Sequence, residues 1–250
     1  DFNIDIKLLE QSVTDRTKAI MPVHWSGKPC DMDILVEFAN KHGLHIVEDA
    51  CHAITARYKG VSAGSFGITG CFSLHPLKNL NVWGDGGLIC TNSDELAMDL
   101  RLLRNHGLSG RDTCEKFAYN SRLDTIQAVV GNHLLCKIDD ITNARIRNAQ
   151  LFDELLSDVP QIFVPPRDKQ HIKQVYHIYS VQAKERDRLD DYLQANGVDS
   201  KVHYPKPLHL HHAAKKFDYK NGQFEKAEKL AKRVISIPVH EFIKKKELDY

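Results

Sequence analysis

IVEDACHAITARYKGVSAGSFGITGCFSLHPLKNLNVWGDGGLICTN, residues Ile46–Asn92, decides how this chain is read. Its first residues close an apolar run, Leu44 to Val47, on the acidic pair Glu48 and Asp49. Two further short strands are predicted at Gly70 to Leu74 and Leu88 to Thr91, separated by a Gly-rich loop. Upstream, Lys18 to Val23 (KAIMPV) is another apolar run. Asp31 to Asn40 (DMDILVEFAN) follows with Ile34, Leu35 and Phe38 at helical spacing, an Asp cap in front and Gly43 behind. A strand, helix, strand unit with a crossover of this length joins parallel strands, so the pattern predicts an α/β fold with a mainly parallel sheet.

Downstream, Ser93 to Leu103 reads as a helix capped by Ser93 with Asp94 and Glu95 in its first turn. Leu123 to Cys136 and Ile141 to Leu156 read as amphipathic helices. Pro160, Pro165 and Pro166 then break the helical pattern, which places a boundary at 157/158. Beyond it a strand (Tyr176 to Gln182) and helices (Arg186 to Ala195, Phe224 to Val234) predict a smaller α+β domain.

The 250 residues suffice for a sizeable core, and a formal charge of +1 with scattered Lys and Arg argues against nucleic acid as a partner. No apolar run approaches the roughly 20 residues that span a bilayer. The polar opening, with Asp1 and Asp5, lacks the apolar core of a signal peptide. Six cysteines without a CxxC pair read as buried free thiols in a reducing cytoplasm.

Open parallel sheets bind ligands at the carboxyl ends of their strands. Asp49 follows one strand, Ser73 ends the next, and Lys78 sits in the loop after it, so the three are expected in one crevice. An amine, a carboxylate and a hydroxyl suit pyridoxal 5'-phosphate (PLP), which takes an amine at its aldehyde, an acid at its ring nitrogen and donors at its phosphate. Taken singly, each has an ordinary reading: Asp at a strand end is more often a cap or turn residue, and a loop lysine is usually solvated. Their order carries the argument.

Ile46–Asn92 resembles the DegT/DnrJ/EryC1/StrS family of PLP-dependent nucleotide-sugar aminotransferases. The similarity continues in YNSRLDTIQA (Tyr119 to Ala128), VHYPKPLHLHHA (Val202 to Ala213) and ISIPVHE (Ile235 to Glu241). The resemblance implies an aspartate aminotransferase type I-like PLP-dependent transferase fold, with 1–157 in the PLP-binding large domain and 158–250 in the small one. By the same resemblance Lys78 carries PLP as a Schiff base, Asp49 pairs with the ring nitrogen, His52 lies against the cofactor and Ser73 binds its phosphate. Asn120 in YNSRLD would reach the phosphate of a neighbouring subunit's cofactor, which implies a homodimer with shared sites. Glutamate is the implied amino donor and a nucleotide-linked keto-sugar the acceptor, aminated at C3.

Lysine at position 78 favours transamination over the family's dehydratase branch, which carries His there. Gly84, Gly86 and Gly87 would let the backbone approach a ligand, although GDGG also describes an ordinary turn. His203, His209, His211 and His212 match no common zinc spacing, and no metal is expected. The family's front segment, with its Gly-Thr phosphate turn, is not found, so the chain is expected to be a fragment. The alternatives are a catalytically inactive or regulatory relative acting as a binding subunit, and an aminotransferase for a cyclitol or another small ketone. Substrate choice is expected to lie in His106 to Phe117 and Lys201 to His212.

Overall fold

Gly43 ends the first helix in the left-handed conformation, φ 63°, with its N–H on the carbonyls of Ala39 and Asn40. This sharp stop turns the chain directly into a strand that runs parallel to the one before the helix. Asp31 stands at the start of that helix, but its side chain makes no capping hydrogen bond; its backbone carbonyl accepts from Leu35 at 3.2 Å instead. Ser93 does cap its helix, accepting from the N–H of Leu96 at 3.2 Å.

A computed structural model describes residues 2–167 and 170–248. In chain order its first elements are β1 (Ala19–Ile20), α1 (Met32–His42), β2 (His45–Asp49), β3 (Arg57–Tyr58), β4 (Val61–Ser62), β5 (Thr69–Ser73), β6 (Gly87–Cys90) and α2 (Asp94–Leu103). Next come β7 (Leu108–Gly110), β8 (Thr113–Cys114), α3 (Thr125–Leu135), α4 (Ile138–Leu155), β9 (Ile162–Phe163), β10 (Ile172–Lys173) and β11 (Tyr179–Ala183). The last are α5 (Arg186–Ala195), α6 (Glu225–Arg233), β12 (Val234–Ile237) and α7 (Lys245–Leu248). Among the described residues no helix is long and apolar enough to cross a membrane.

The chain forms two compact units. One holds Phe2–Asn143 and the segment that ends at His177; the other holds Ala144–Arg167 and the chain from Ile178 onward. The first unit contains a sheet of order β1-β2-β5-β6, parallel except for β6, and a small antiparallel sheet in which β10 pairs with β3. The second contains the antiparallel sheet β12-β11-β9, with β11 against α5 and α6. A core of Ile20, Met32, Leu35, Ala39 and Ile46 fixes α1 against β1 and β2.

Side chains alternate along β2, so Ile46 and Glu48 point to one face and Val47 and Asp49 to the other. Glu48 is fully buried, yet none of its charge is left without partners. Its Oε1 accepts from the N–H groups of Phe66 (2.7 Å) and Gly67 (2.8 Å), and its Oε2 accepts from Gly64 N–H (2.7 Å). His24, also fully buried, supplies the fourth contact at 2.9 Å from Nε2. Because His24 Nδ1 accepts from the N–H of Cys30 (3.1 Å), the ring hydrogen lies on Nε2 and points at the carboxylate. The loop so gathered rests tightly on the sheet: a Cβ on Gly67 would lie 2.3 Å from the carbonyl oxygen of Ile46, and one on Gly70 would lie 2.2 Å from that of Gly64.

The cysteines depart from expectation. All six are free, but only Cys30 is buried; Cys51 and Cys71 are half-buried, and Cys90, Cys114 and Cys136 are exposed. Cys90 lies on β6, every residue of which is exposed, so an apolar strand sequence there does not bring burial.

Burial alone would raise the Glu48 carboxyl, but the hydrogen bonds from His24, Gly67 and Gly64 outweigh it and hold the group below the ordinary 4.5. Its stabilisation is therefore complete above that value and fades as the pH falls through the lowered folded value. Glu48→Gln is expected to destabilise the protein by about 3 kcal/mol at neutral pH, read by urea unfolding, with the deficit shrinking below pH 4.5. A deficit that is the same on both sides of that pH would contradict the account.

Candidate active site

Asp49 and Ser73 end neighbouring strands. Asp49 pairs with Cys71 across β2 and β5, and Ser73 follows two residues along β5. The chain after Ser73 makes a closed excursion that returns to the sheet: Ser73 Oγ accepts from His75 N–H (3.3 Å), the N–H of Lys78 donates to the carbonyl of His75 (2.8 Å), and Val82 N–H donates to Leu74 (3.1 Å). Leu74, Leu80 and Val82 anchor it in a core cluster with Ile138. Buried Asn79 adds a further tie, its Nδ2 donating to the carbonyl of Val175 at 3.1 Å. Half-buried Lys78 is thus flanked by fixed neighbours at the carboxyl edge of the sheet.

Burial lowers the Lys78 amine below the ordinary lysine value, opposed by its neighbours Cys51 and Asp49. Asp49 Oδ1 accepts from the N–H of Cys51 at 3.1 Å. The Cys51 thiol is pushed up to about 12 by burial and by the hydrogen bond and charge of Asp49, with Lys78 acting against them. Lys78, Asp49 and Cys51 therefore sit within electrostatic reach of one another. Cys51 stays protonated there.

His52 packs its ring against Trp25 (centroids 5.5 Å) and His177 (4.4 Å), and its Nδ1 accepts from the N–H of Ser26 at 3.3 Å. Gly27 makes this possible. Its φ is +81°, and a Cβ there would come within 2.8 Å of the His52 carbonyl oxygen and 2.6 Å of Val175. Asn120 stands apart from this group: it is exposed, bridges to Asn105, and accepts from Arg122 Nε at 3.0 Å.

The Gly-rich loop differs from expectation in what its glycines do. A Cβ on Gly86 would strike Leu123 and Val82 at 2.8 Å each, and one on Gly87 would lie 3.0 Å from the Phe72 carbonyl oxygen. These residues are small to permit packing against the protein's own chain. The loop is also held from α3, where Gln127 Nε2 donates to the carbonyl of Asp85 (3.0 Å) while Oε1 accepts from Asp124 N–H (3.2 Å).

Sequence reasoning missed the supports of the site: His24, Trp25, Ser26, Gly27 and Cys30 in HWSGKPC, and His177, far along the chain. The usable signal was the segment HWSGKPC itself, a Gly turn flanked by ring side chains between an apolar run and a helix. Three of the clustered histidines have partners within the protein. His209 Nε2 meets Glu228 at 3.0 Å, His203 Nδ1 meets Ser236 Oγ at 3.2 Å, and His211 Nε2 lies 3.3 Å from the Lys206 carbonyl. Among the described residues no group of three or more His, Cys, Asp or Glu could hold a metal ion.

An amine whose charge is disfavoured, a carboxylate fixed at a strand end and a hydroxyl on the adjacent strand form a donor set that fits PLP, one group for each of its polar ends.

A sequence model of the DegT/DnrJ/EryC1/StrS aminotransferase family matches residues 1–250. A pleiotropic regulatory protein of Geobacillus stearothermophilus is 39% identical over 100% of this chain and 67% of its own length. The dTDP-3-amino-3,4,6-trideoxy-alpha-D-glucose transaminase of Streptomyces venezuelae is 40% identical over 94% of this chain and 62% of its own. Among solved structures, S. venezuelae DesV in complex with a ketimine intermediate superposes with a TM-score of 0.95 at 38% identity, covering 98% of this chain and 66% of that one. The fold is accordingly the α/β PLP-dependent transferase fold of these aminotransferases. The chain spans about two thirds of the length of the relatives it matches.

Competitive acetylation of all lysines, followed by mass spectrometry from about pH 7 to 11, tests the electrostatics of the site. Lys78 is expected to titrate below 10.5. Lys59, whose hydrogen bond to Asp33 raises it, is expected to titrate above the same value. A Lys78 midpoint at or above that of Lys59 would remove the basis for a neutral amine there.

Proposed function

This chain belongs to the DegT/DnrJ/EryC1/StrS aminotransferase family, and from that membership we propose that it transfers an amino group from glutamate to C3 of a nucleotide-linked keto-sugar. The single observation that carries the proposal is the lowered Lys78 amine beside Asp49 at the carboxyl edge of the parallel strands. Members of the family depend on PLP, which when bound supplies an electron sink for the carbon that loses its proton.

Each residue then has a distinct task. With PLP bound, Lys78 Nζ would hold the cofactor's aldehyde and would exchange a proton with the donor's α-carbon, the first role being favoured by an amine whose charge burial disfavours. Asp49 would keep a proton on the ring nitrogen, and the N–H of Cys51 holds the carboxylate in place. Ser73 Oγ would donate to the phosphate. His52, packed on Trp25 and His177, would lie against the cofactor. Asn120 serves the phosphate of a neighbouring subunit in a homodimer, a role compatible with its exposure. Residues 1–157 belong to the PLP-binding large domain and 158–250 to the small domain, in a protein working in the cytoplasm.

The name of the S. venezuelae relative, a transaminase of a dTDP-linked 3-amino sugar, supports the acceptor class and the carbon. The G. stearothermophilus relative, named for regulation, favours a second reading in which the chain is a binding subunit.

The deciding assay mixes the protein, PLP and ¹⁵N-glutamate with a panel of nucleotide-linked 3-keto-sugars and follows the product by mass spectrometry. Labelled amino-sugar is expected with at least one acceptor, with Lys78→Ala slowing its formation by at least about 100-fold. No labelled product from any acceptor, in a protein that still assembles with a complete relative, would transfer the assignment to the regulatory reading.

A further inference from the structure

The second compact unit carries a cleft of about 530 Å³ between α6 and the β9 edge of its sheet. Lys226, Lys229 and Arg233 face it at spacings of three and four residues, which puts them on one side of α6. Lys184, just past the end of β11, closes the opposite wall. The apolar part of the lining includes Leu230 and Phe163, the latter 54% exposed although it belongs to a strand of the sheet.

Among the described residues no Asp or Glu lines this cleft. Glu225 of α6 lies outside the lining, and three further acids of the surrounding elements are committed elsewhere. Glu228 accepts from the N–H groups of Gly222 and Phe224 and meets His209; Glu185 pairs with Arg188 at 3.1 Å; Asp187 pairs with Arg186 at 2.5 Å. Lys184, Lys229 and Arg233 bring three positive charges to one concavity, and a multiply charged anion among them is attracted to all three. Lysine and arginine together suit phosphate, arginine through its planar fork and lysine as a point charge. An exposed aromatic ring beside them adds something a bare anion does not need: a flat surface on which a base can stack.

We propose that this cleft binds a nucleoside diphosphate, with the phosphates among Lys184, Lys229 and Arg233 and the base on Phe163. The assignment rests on the lining alone and holds whether or not the aminotransferase reading does. None of these residues belongs to the proposed PLP site, so the cleft is a second place at which the protein senses or stores such a ligand.

Calorimetric titration of the full chain with UDP, dTDP and pyrophosphate tests it, with thermal unfolding as the check on folding. The double variant Lys229→Glu/Arg233→Glu is expected to weaken UDP and dTDP at least tenfold, about 1.4 kcal/mol. Phe163→Ala is expected to weaken both nucleotides about fivefold or more while leaving pyrophosphate unchanged. Lys78→Ala is expected to leave this binding intact. If the double variant fails to fold, Lys229→Gln keeps the test, with an expected loss of about threefold. Nucleotide binding that is absent, or unmoved by the charge changes, overturns the site; binding that ignores Phe163→Ala overturns the nucleoside and leaves an anion site. Loss of amino transfer with these affinities preserved would bear on the active-site reading alone.

Discussion

A single buried carboxylate holds the working end of the sheet in place. Glu48 gathers three backbone N–H groups and one imidazole, and with them the segments around His24 and around Gly64 to Gly67. A buried charge without these partners would be strongly unfavourable, so the loops and the carboxylate require each other. Alternation along β2 then does the rest: with Glu48 locked on one face, Asp49 is presented on the other, one residue further along the same strand.

The opposite side of that lock is where the proposed chemistry lies. Lys78 meets two influences of opposite sign, burial that disfavours its charge and Asp49 with Cys51 that favour it, and burial wins. The charge of such an amine is disfavoured relative to that of a surface lysine, which suits the proposed attachment of a cofactor aldehyde. The short hydrogen-bonded loop from Ser73 to Val82 keeps this arrangement from depending on a flexible side chain alone. His52 is fixed from three directions, by Ser26, Trp25 and His177.

Much of this was legible in the sequence wherever the physical cause was local. The α1 helix and its parallel flanking strands follow from apolar spacing and from Gly43. The placement of Asp49 and Ser73 at adjacent strand ends follows from the two apolar runs that precede them. What could not be read depends on distant partners. Glu48 looks like any acidic strand terminus until His24 and the Gly64 to Gly67 backbone close on it, and His177 reaches His52 from 125 positions along the chain. Cys90 and the glycines of GDGG were misjudged for a related reason: local composition reveals neither that β6 is exposed nor that Leu123 and Val82 press on Gly86.

The most direct test of the central claim is covalent mapping. The protein is incubated with PLP, reduced with borohydride, digested and sequenced by mass spectrometry. The account predicts the cofactor mass on the peptide containing Lys78 and on no other lysine. Label on another lysine, with Lys78 unmodified, would contradict it.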